Sequence, residues 1–247
     1  MTTRAKWIDG VQTFYDPDRG YETVQKMSPV QEEYDFQHAW ATVPPQGTEE
    51  SGCVWADKIV LTGGSPDVVG VTDGNLGLMS CALDATDEEQ EAICYMADQR
   101  AFSLEQGLVM EMRAKLSVLP TGNGEIIWGL YGDYVKGPDN VAYSVFFTAD
   151  GSGEVFCESD DTESDESATS GVTCLATDWK VYRIDATDVT DILFYIDGVN
   201  VATGTTFGYA GTGANAILQP AFGCYKSTGT GVATIQMDYV KIWQNRS

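Results

Sequence analysis

Between residues 108 and 117 the chain alternates strictly. Leu108, Met110, Met112, Ala114 and Leu116 fall on one side; Val109, Glu111, Arg113, Lys115 and Ser117 fall on the other. A period of two is that of a strand with one buried face. Similar short apolar runs recur: "EIIWGLY", "VAYSVFFTA", "GEVFCE", "GVTCLA", "WKVYRIDA", "AILQPAFGCY" and "ATIQMDYVKIWQ". In "DILFYIDGVNVAT", Asp197-Gly198 separates two apolar runs, the composition that a two-residue type I′ hairpin turn requires. Upstream, "VWADKIVLTGG" and "LGLMSCAL" read as strands, and Pro44-Pro45 block regular structure in "ATVPPQGTEESG". "TDEEQEAICYMADQ" is open to two readings. Thr86 and Glu89 suit a helix capping box, while "AICYM" suits a buried strand. No helix of ordinary length and no fixed-period repeat emerges. About a dozen short strands with glycine-rich turns predict an all-β sandwich.

Residues 1–29 read as a separate N-terminal arm and residues 30–247 as the sandwich domain. The runs "WIDGVQTFY" and "YETVQKM" flank "DPDRG", which predicts a β-hairpin. An isolated hairpin is marginal in water. Trp7, Phe14, Tyr15 and Tyr21 are therefore expected to dock the arm on its own domain or on a partner.

Composition narrows the function classes. Of 247 residues, 37 are acidic and 14 basic, a net charge of −23. Phosphate recognition needs clustered Lys and Arg, so nucleic acid is not an expected partner. No run of about 18 apolar residues predicts a membrane span, and "MTTRAKWIDG" lacks the apolar stretch of a signal peptide. Cysteines 53, 81, 94, 157, 174 and 224 form no C-x-x-C pair, and are read as reduced, buried, small apolar residues. Asn245-Arg246-Ser247 matches a glycosylation sequon by chance.

Four pieces, "GLVMEMRAKLS", "WKVYRID", "FYIDGVNVA" and "MDYVKIWQ", resemble in order and spacing the concanavalin A-like lectin/glucanase jelly roll. The N-terminal "WIDGVQTFYD" and "SPVQEEYDF", followed by "ALDATDEEQEAICYMADQRAFSLEQGLVMEMRAKL", resemble tailed-phage virion proteins that carry this jelly roll behind a short arm. The resemblance favours strand for "EAICYM". It implies an antiparallel jelly-roll β-sandwich that decorates or cements the outside of a capsid, with the major capsid protein and further copies of itself as partners, assembled in a host cytoplasm. A carbohydrate-binding, lectin-like module is the alternative, with a glycan as partner, and a glycoside hydrolase is a further one.

Chemistry-bearing residues are few. "CESDDTESDE" contains Glu158, Asp160 and Glu163 in the order E-x-D-x-x-E, which resembles the carboxylate signature of jelly-roll glucanases. Such a dyad needs two carboxyls held about 5–5.5 Å apart. The intervening Ser159, Asp161 and Thr162 are polar, so the stretch reads as a strand running into a hydrated acidic loop, with a bound calcium ion as rival. His38 is the lone histidine and reads as packing beside Trp40. Trp128, Tyr131 and Tyr134 suit either sugar stacking or a core. The expectation is a protein that is not an enzyme, with no catalytic residue, metal or cofactor.

Overall fold

The computed structural model describes residues 4–8, 11–16, 21–24, 30–36, 55–71 and 77–245. Its strands are β1 (Arg4–Ile8), β2 (Val11–Asp16), β3 (Tyr21–Val24), β4 (Val30–Asp35), β5 (Ala56–Val60), β6 (Asp67–Val71), β7 (Leu78–Ala82), β8 (Gln90–Tyr95), β9 (Phe102–Ser103), β10 (Leu108–Val118), β11 (Gly124–Tyr131), β12 (Ser144–Ala149), β13 (Glu154–Asp160), β14 (Asp165–Thr173), β15 (Lys180–Ala186), β16 (Leu193–Ile196), β17 (Val199–Val201), β18 (Ile217–Lys226) and β19 (Thr234–Gln244). Two antiparallel sheets form the sandwich. Sheet I has the order β17-β16-β15-β10-β19-β7-β6, with β4 also on β19; sheet II has the order β14-β13-β12-β11-β18-β8-β5, with β9 on β18. The all-β sandwich expected from the strand pattern, and the jelly roll that the resemblance implied, are the observed fold.

Strand alternation builds the core. Leu108, Met110, Met112, Ala114 and Leu116 of β10 are fully buried between the sheets. They meet Trp128, Phe147, Tyr182 and Phe194, whose rings pack in offset and edge-on pairs 4.9–5.8 Å apart. At Asp238 of β19 the register slips by one residue against Arg113 and Ala114 of β10. The bulge lets Met237 and Val240 both enter the core, and it turns Asp238 toward Arg113, with which it forms an ion pair. Asp197 and Gly198 both adopt positive φ, as the hairpin turn between β16 and β17 requires.

In the arm, the expected hairpin is present as β2 and β3, and β1 pairs with β2 as a third strand. Trp7 lies on β1, Phe14 and Tyr15 on β2, and Tyr21 on β3; their side chains lie outside the described residues, as do His38 and Cys53. Cys81, Cys94, Cys157, Cys174 and Cys224 are buried free thiols.

"EAICYM" is strand: β8 is buried on both faces. The double burial has a cause. One face meets the core, and the other lies under the segment 132–143, which folds back over sheet II. Near one end of β8, Lys226 is fully buried. Its ammonium donates to the carbonyls of Asp84, Thr86 and Gly231 at 2.7, 2.7 and 3.1 Å, which satisfies all three of its protons.

Candidate functional site

The outer face of sheet II gathers polar side chains that the strand register brings together from distant positions. Glu125 of β11 stands beside Tyr225 of β18, which pairs with Glu91 of β8. Gly129 of β11, Phe146 of β12 and Glu158 of β13 share a second row across the sheet. β13 alternates: Val155, Cys157 and Ser159 are buried toward the core, and Glu154, Phe156, Glu158 and Asp160 are half-buried on the outer face.

An open cavity of about 340 Å³ lies over this face, lined by Asn123, Gly124, Glu125, Thr148, Asp150, Phe156 and Glu158, with Ala149. It is large enough for a small ligand. Beside it a second apolar cluster, separate from the main core, holds Tyr95, Tyr131, Tyr134, Val141 and Phe146. Tyr134 and Val141 belong to the segment 132–143; Tyr134 packs 5.8 Å from Tyr131 and 5.9 Å from Tyr95.

Three polar atoms in this cluster are buried without a hydrogen-bond partner: the hydroxyls of Tyr131 and Tyr134, and Oε2 of Glu91. Such atoms are uncommon and each calls for an explanation. Burial pushes the Tyr131 hydroxyl well above the usual phenol range, and the nearby Tyr134, Glu125 and Glu158 add to it. Tyr134 is raised by burial and then by Glu91, Glu125 and Tyr225. Glu91 is raised by burial, which outweighs the N–H of Gly137 and the charge of Lys58. Both phenols are thus neutral donors at ordinary pH. The same two carboxylates that line the cavity, Glu125 and Glu158, are the ones that act on Tyr131.

The acidic stretch sorts into separate roles. Glu158 and Asp160 share the outer face of β13, two residues and about 7 Å apart along the strand. Asp161 is a structural tie: Oδ1 accepts from the N–H groups of Glu163 and Ser164 at 3.0 and 2.9 Å, and Oδ2 from that of Ala210. Glu163 lies in the turn after β13 and does not share the strand face. Two of the three carboxylates of E-x-D-x-x-E are therefore side by side, and the third is not. No group of three or more His, Cys, Asp or Glu side chains among the described residues is arranged to hold a metal ion. Of the three aromatics considered for sugar stacking, Trp128 belongs to the main core, while Tyr131 and Tyr134 belong to the second apolar cluster and not to the cavity lining. Phe156, half-buried in the lining, was not singled out by the sequence, although its place in the alternation of "GEVFCE" marks it as outward.

No protein-family model and no curated protein matches the chain. Solved structures do. A protein of unknown function from Shewanella oneidensis MR-1 aligns with a TM-score of 0.58 at 15% identity, over 88% of this chain and 87% of that one. A Bacteroides ovatus mixed linkage glucan GH16 protein in complex with a G4G4G3G product aligns with a TM-score of 0.59 at 14% identity, over 85% and 99%. A pseudo β-1,3-glucanase of Mycobacterium tuberculosis aligns with a TM-score of 0.54 at 14% identity, over 87% and 98%. At these identities the likeness establishes the concanavalin A-like jelly roll and nothing finer. None of the three is named as a virion protein. The expectation that this chain is not an enzyme is corrected: the fold is shared with glucanases as well as with a pseudo-glucanase. The polar character of Ser159, Asp161 and Thr162, on which that expectation rested, does not keep Glu158 and Asp160 from facing outward together.

Proposed function

We propose that the protein is a carbohydrate-directed jelly roll that holds a glycan in the cavity over β11, β12 and β13. The observation that carries this reading is the cavity lining itself, which sets the polar side chains of Asn123, Glu125, Asp150 and Glu158 around the ring of Phe156. Sugar hydroxyls both donate and accept. The carboxylates of Glu125 and Glu158 offer acceptors, the side-chain amide of Asn123 offers both a donor and an acceptor, and Phe156 offers an apolar surface for a ring. The fold's occurrence in proteins named as glucanases supports an uncharged glucan as the first ligand to try. Glu158 and Asp160 are the residues at which a hydrolytic step would be sought, since glycoside cleavage uses two facing carboxyls.

The test is calorimetric titration with soluble β-glucan oligosaccharides, with an oligouronate arm for comparison and a reducing-end assay run in parallel. Saturable glucan binding is expected. Phe156→Ala, which removes the half-buried ring from the lining, should weaken it roughly tenfold, a loss of about 1.4 kcal/mol, while leaving the fold intact. Absence of binding to every glycan in the series would overturn the reading.

A further inference from the structure

The outer face of sheet II is open on one side and walled on the other. On the open side, Asp165, Ser167 and Thr169 of the edge strand β14 are exposed. On the far side the segment 132–143 crosses the sheet one strand beyond Glu125. Gly137 lies against the ring of Tyr225: a Cβ there would stand 3.6 Å from the tyrosine hydroxyl, in van der Waals contact. At the other end of β11 and β12, Tyr134 and Val141 cover Tyr131 and Phe146.

This wall is fastened at several points. Lys58 Nζ donates to the carbonyl of Tyr134 at 3.0 Å, and the N–H of Tyr134 donates to Asp98 at 2.7 Å. The N–H of Gly137 donates to the buried Glu91 at 2.7 Å, and Lys136 pairs with Glu89 at 2.7 Å. Gln219, itself fully buried, donates to the carbonyl of Gly132 at 2.9 Å. Gly137 has φ of +82°, which disfavours any other residue there.

From this geometry, and on the premise of the carbohydrate reading above, we infer that the cavity takes the end of a glycan chain and excludes its interior. A chain entering over β14 and β13 reaches Glu125 and is stopped by Gly137 on Tyr225. Continuation along β11 and β12 is stopped by Tyr134. Among the described residues, the two sides left without a wall, over β14 and over the turns at Asn123 and Asp150, are adjacent. A chain held by its middle would have to fold back sharply to use both. A terminal sugar fits without that bend, its last ring against Phe156 and its hydroxyls toward Glu125 and Glu158.

A cyclic glucan has no end, so it separates the two modes. Linear β-glucan oligosaccharides and a cyclic β-glucan are titrated against the full chain. The linear ligands should bind, and the cyclic one should bind roughly tenfold more weakly or worse. Binding per unit mass of linear glucan should also fall as the chains lengthen, because ends become rarer. Tyr134→Ala should narrow the gap between linear and cyclic ligands by lowering the wall. If that variant does not fold, the length series on the unaltered protein decides alone. Equal affinity for linear and cyclic ligands would overturn the chain-end inference and leave the carbohydrate reading standing. Failure of both ligands to bind would overturn the carbohydrate reading, and the chain-end inference with it.

Discussion

On the outer face of sheet I, the cationic side chains of β10, β15 and β19 lie over aromatic rings. Arg113 and Lys115 stack on Trp179 at 4.8 and 5.1 Å, Arg183 on Tyr195 at 5.1 Å, and Lys241 on Tyr239 at 4.6 Å. Glu111 sits between Arg183 and Lys241 in the strand register and accepts from the Tyr239 hydroxyl at 3.0 Å. On the outer face of sheet II, Tyr131, Tyr134 and Glu91 are buried and leave polar atoms without partners. Both faces arise from the same alternation of residues along a strand. They differ in what covers them. Sheet I faces solvent, and its charges satisfy one another locally. Sheet II is partly roofed by the segment 132–143, which takes away water without supplying every hydrogen bond. The contrast locates the candidate site better than charge does, because the acidic residues of this chain are spread far beyond the cavity.

The comparison is broken most directly by deleting a ring from each face. Phe146→Ala empties a position in the second apolar cluster and should cost about 3–5 kcal/mol. Tyr195→Ala on sheet I should cost about 1 kcal/mol, the scale of an exposed cation–π contact with some lost packing. Urea unfolding measures both; equal costs would mean that the roofed face is no second core.

Acid should act next most strongly. Asp57 of β5 is fully buried with both carboxylate oxygens unpartnered. Burial pushes its pKa up to about 6, offset in part by the nearness of its own backbone N–H and assisted by Asp67. Glu91 is displaced in the same direction. A carboxyl whose folded pKa exceeds its unfolded value stabilises the fold below the unfolded value, near 4. That contribution is lost as pH rises through the folded value. Between pH 4 and pH 7 the Asp57 contribution should fall by about 2–3 kcal/mol. Asp57→Asn should flatten this part of the stability profile. A profile unchanged by the substitution would show that Asp57 is hydrated in solution.

Smaller effects sharpen the contrast. Tyr131→Phe removes an unsatisfied hydroxyl and should leave stability unchanged or raise it by about 1 kcal/mol. A clear loss of stability would reveal a partner for that hydroxyl within the fold. Arg113→Ala should cost about 1 kcal/mol or less and leave glycan binding unaltered, since it sits on the opposite sheet. Loss of binding in that variant would transfer the site to sheet I.

The strands were legible because their pattern is local. The residues of β10 name their own buried face, and Asp197-Gly198 names its turn. "EAICYM" was ambiguous because β8 is buried on both faces, which erases the period of two. The cause, the segment 132–143, reads from sequence only as a loop with scattered apolar residues. That Tyr134 and Val141 would meet Tyr95 depends on pairings between strands far apart in the chain. The site was half legible for the same reason. Alternation in "GEVFCESD" puts Glu158 and Asp160 on one face, yet nothing local places Glu125, Tyr131 and Glu91 near them. The turn holding Glu163 could be seen in its polar composition, whereas the tie from Asp161 to Ala210 could not.

The edge strand β14 gives the acidic stretch one further meaning. It ends sheet II with a row of backbone groups that a neighbouring chain could extend. Its sequence, Asp165 to Thr173, places Asp165, Ser167, Thr169 and Gly171 outward in alternation, and it carries no large apolar side chain before Val172. Another strand added there would set its side chains beside carboxylates and hydroxyls and bury almost nothing apolar. Joined to the carboxylates at the end of β13, these residues guard the molecule against edge-to-edge aggregation. Replacing them would therefore alter how high a concentration the protein tolerates before it self-associates.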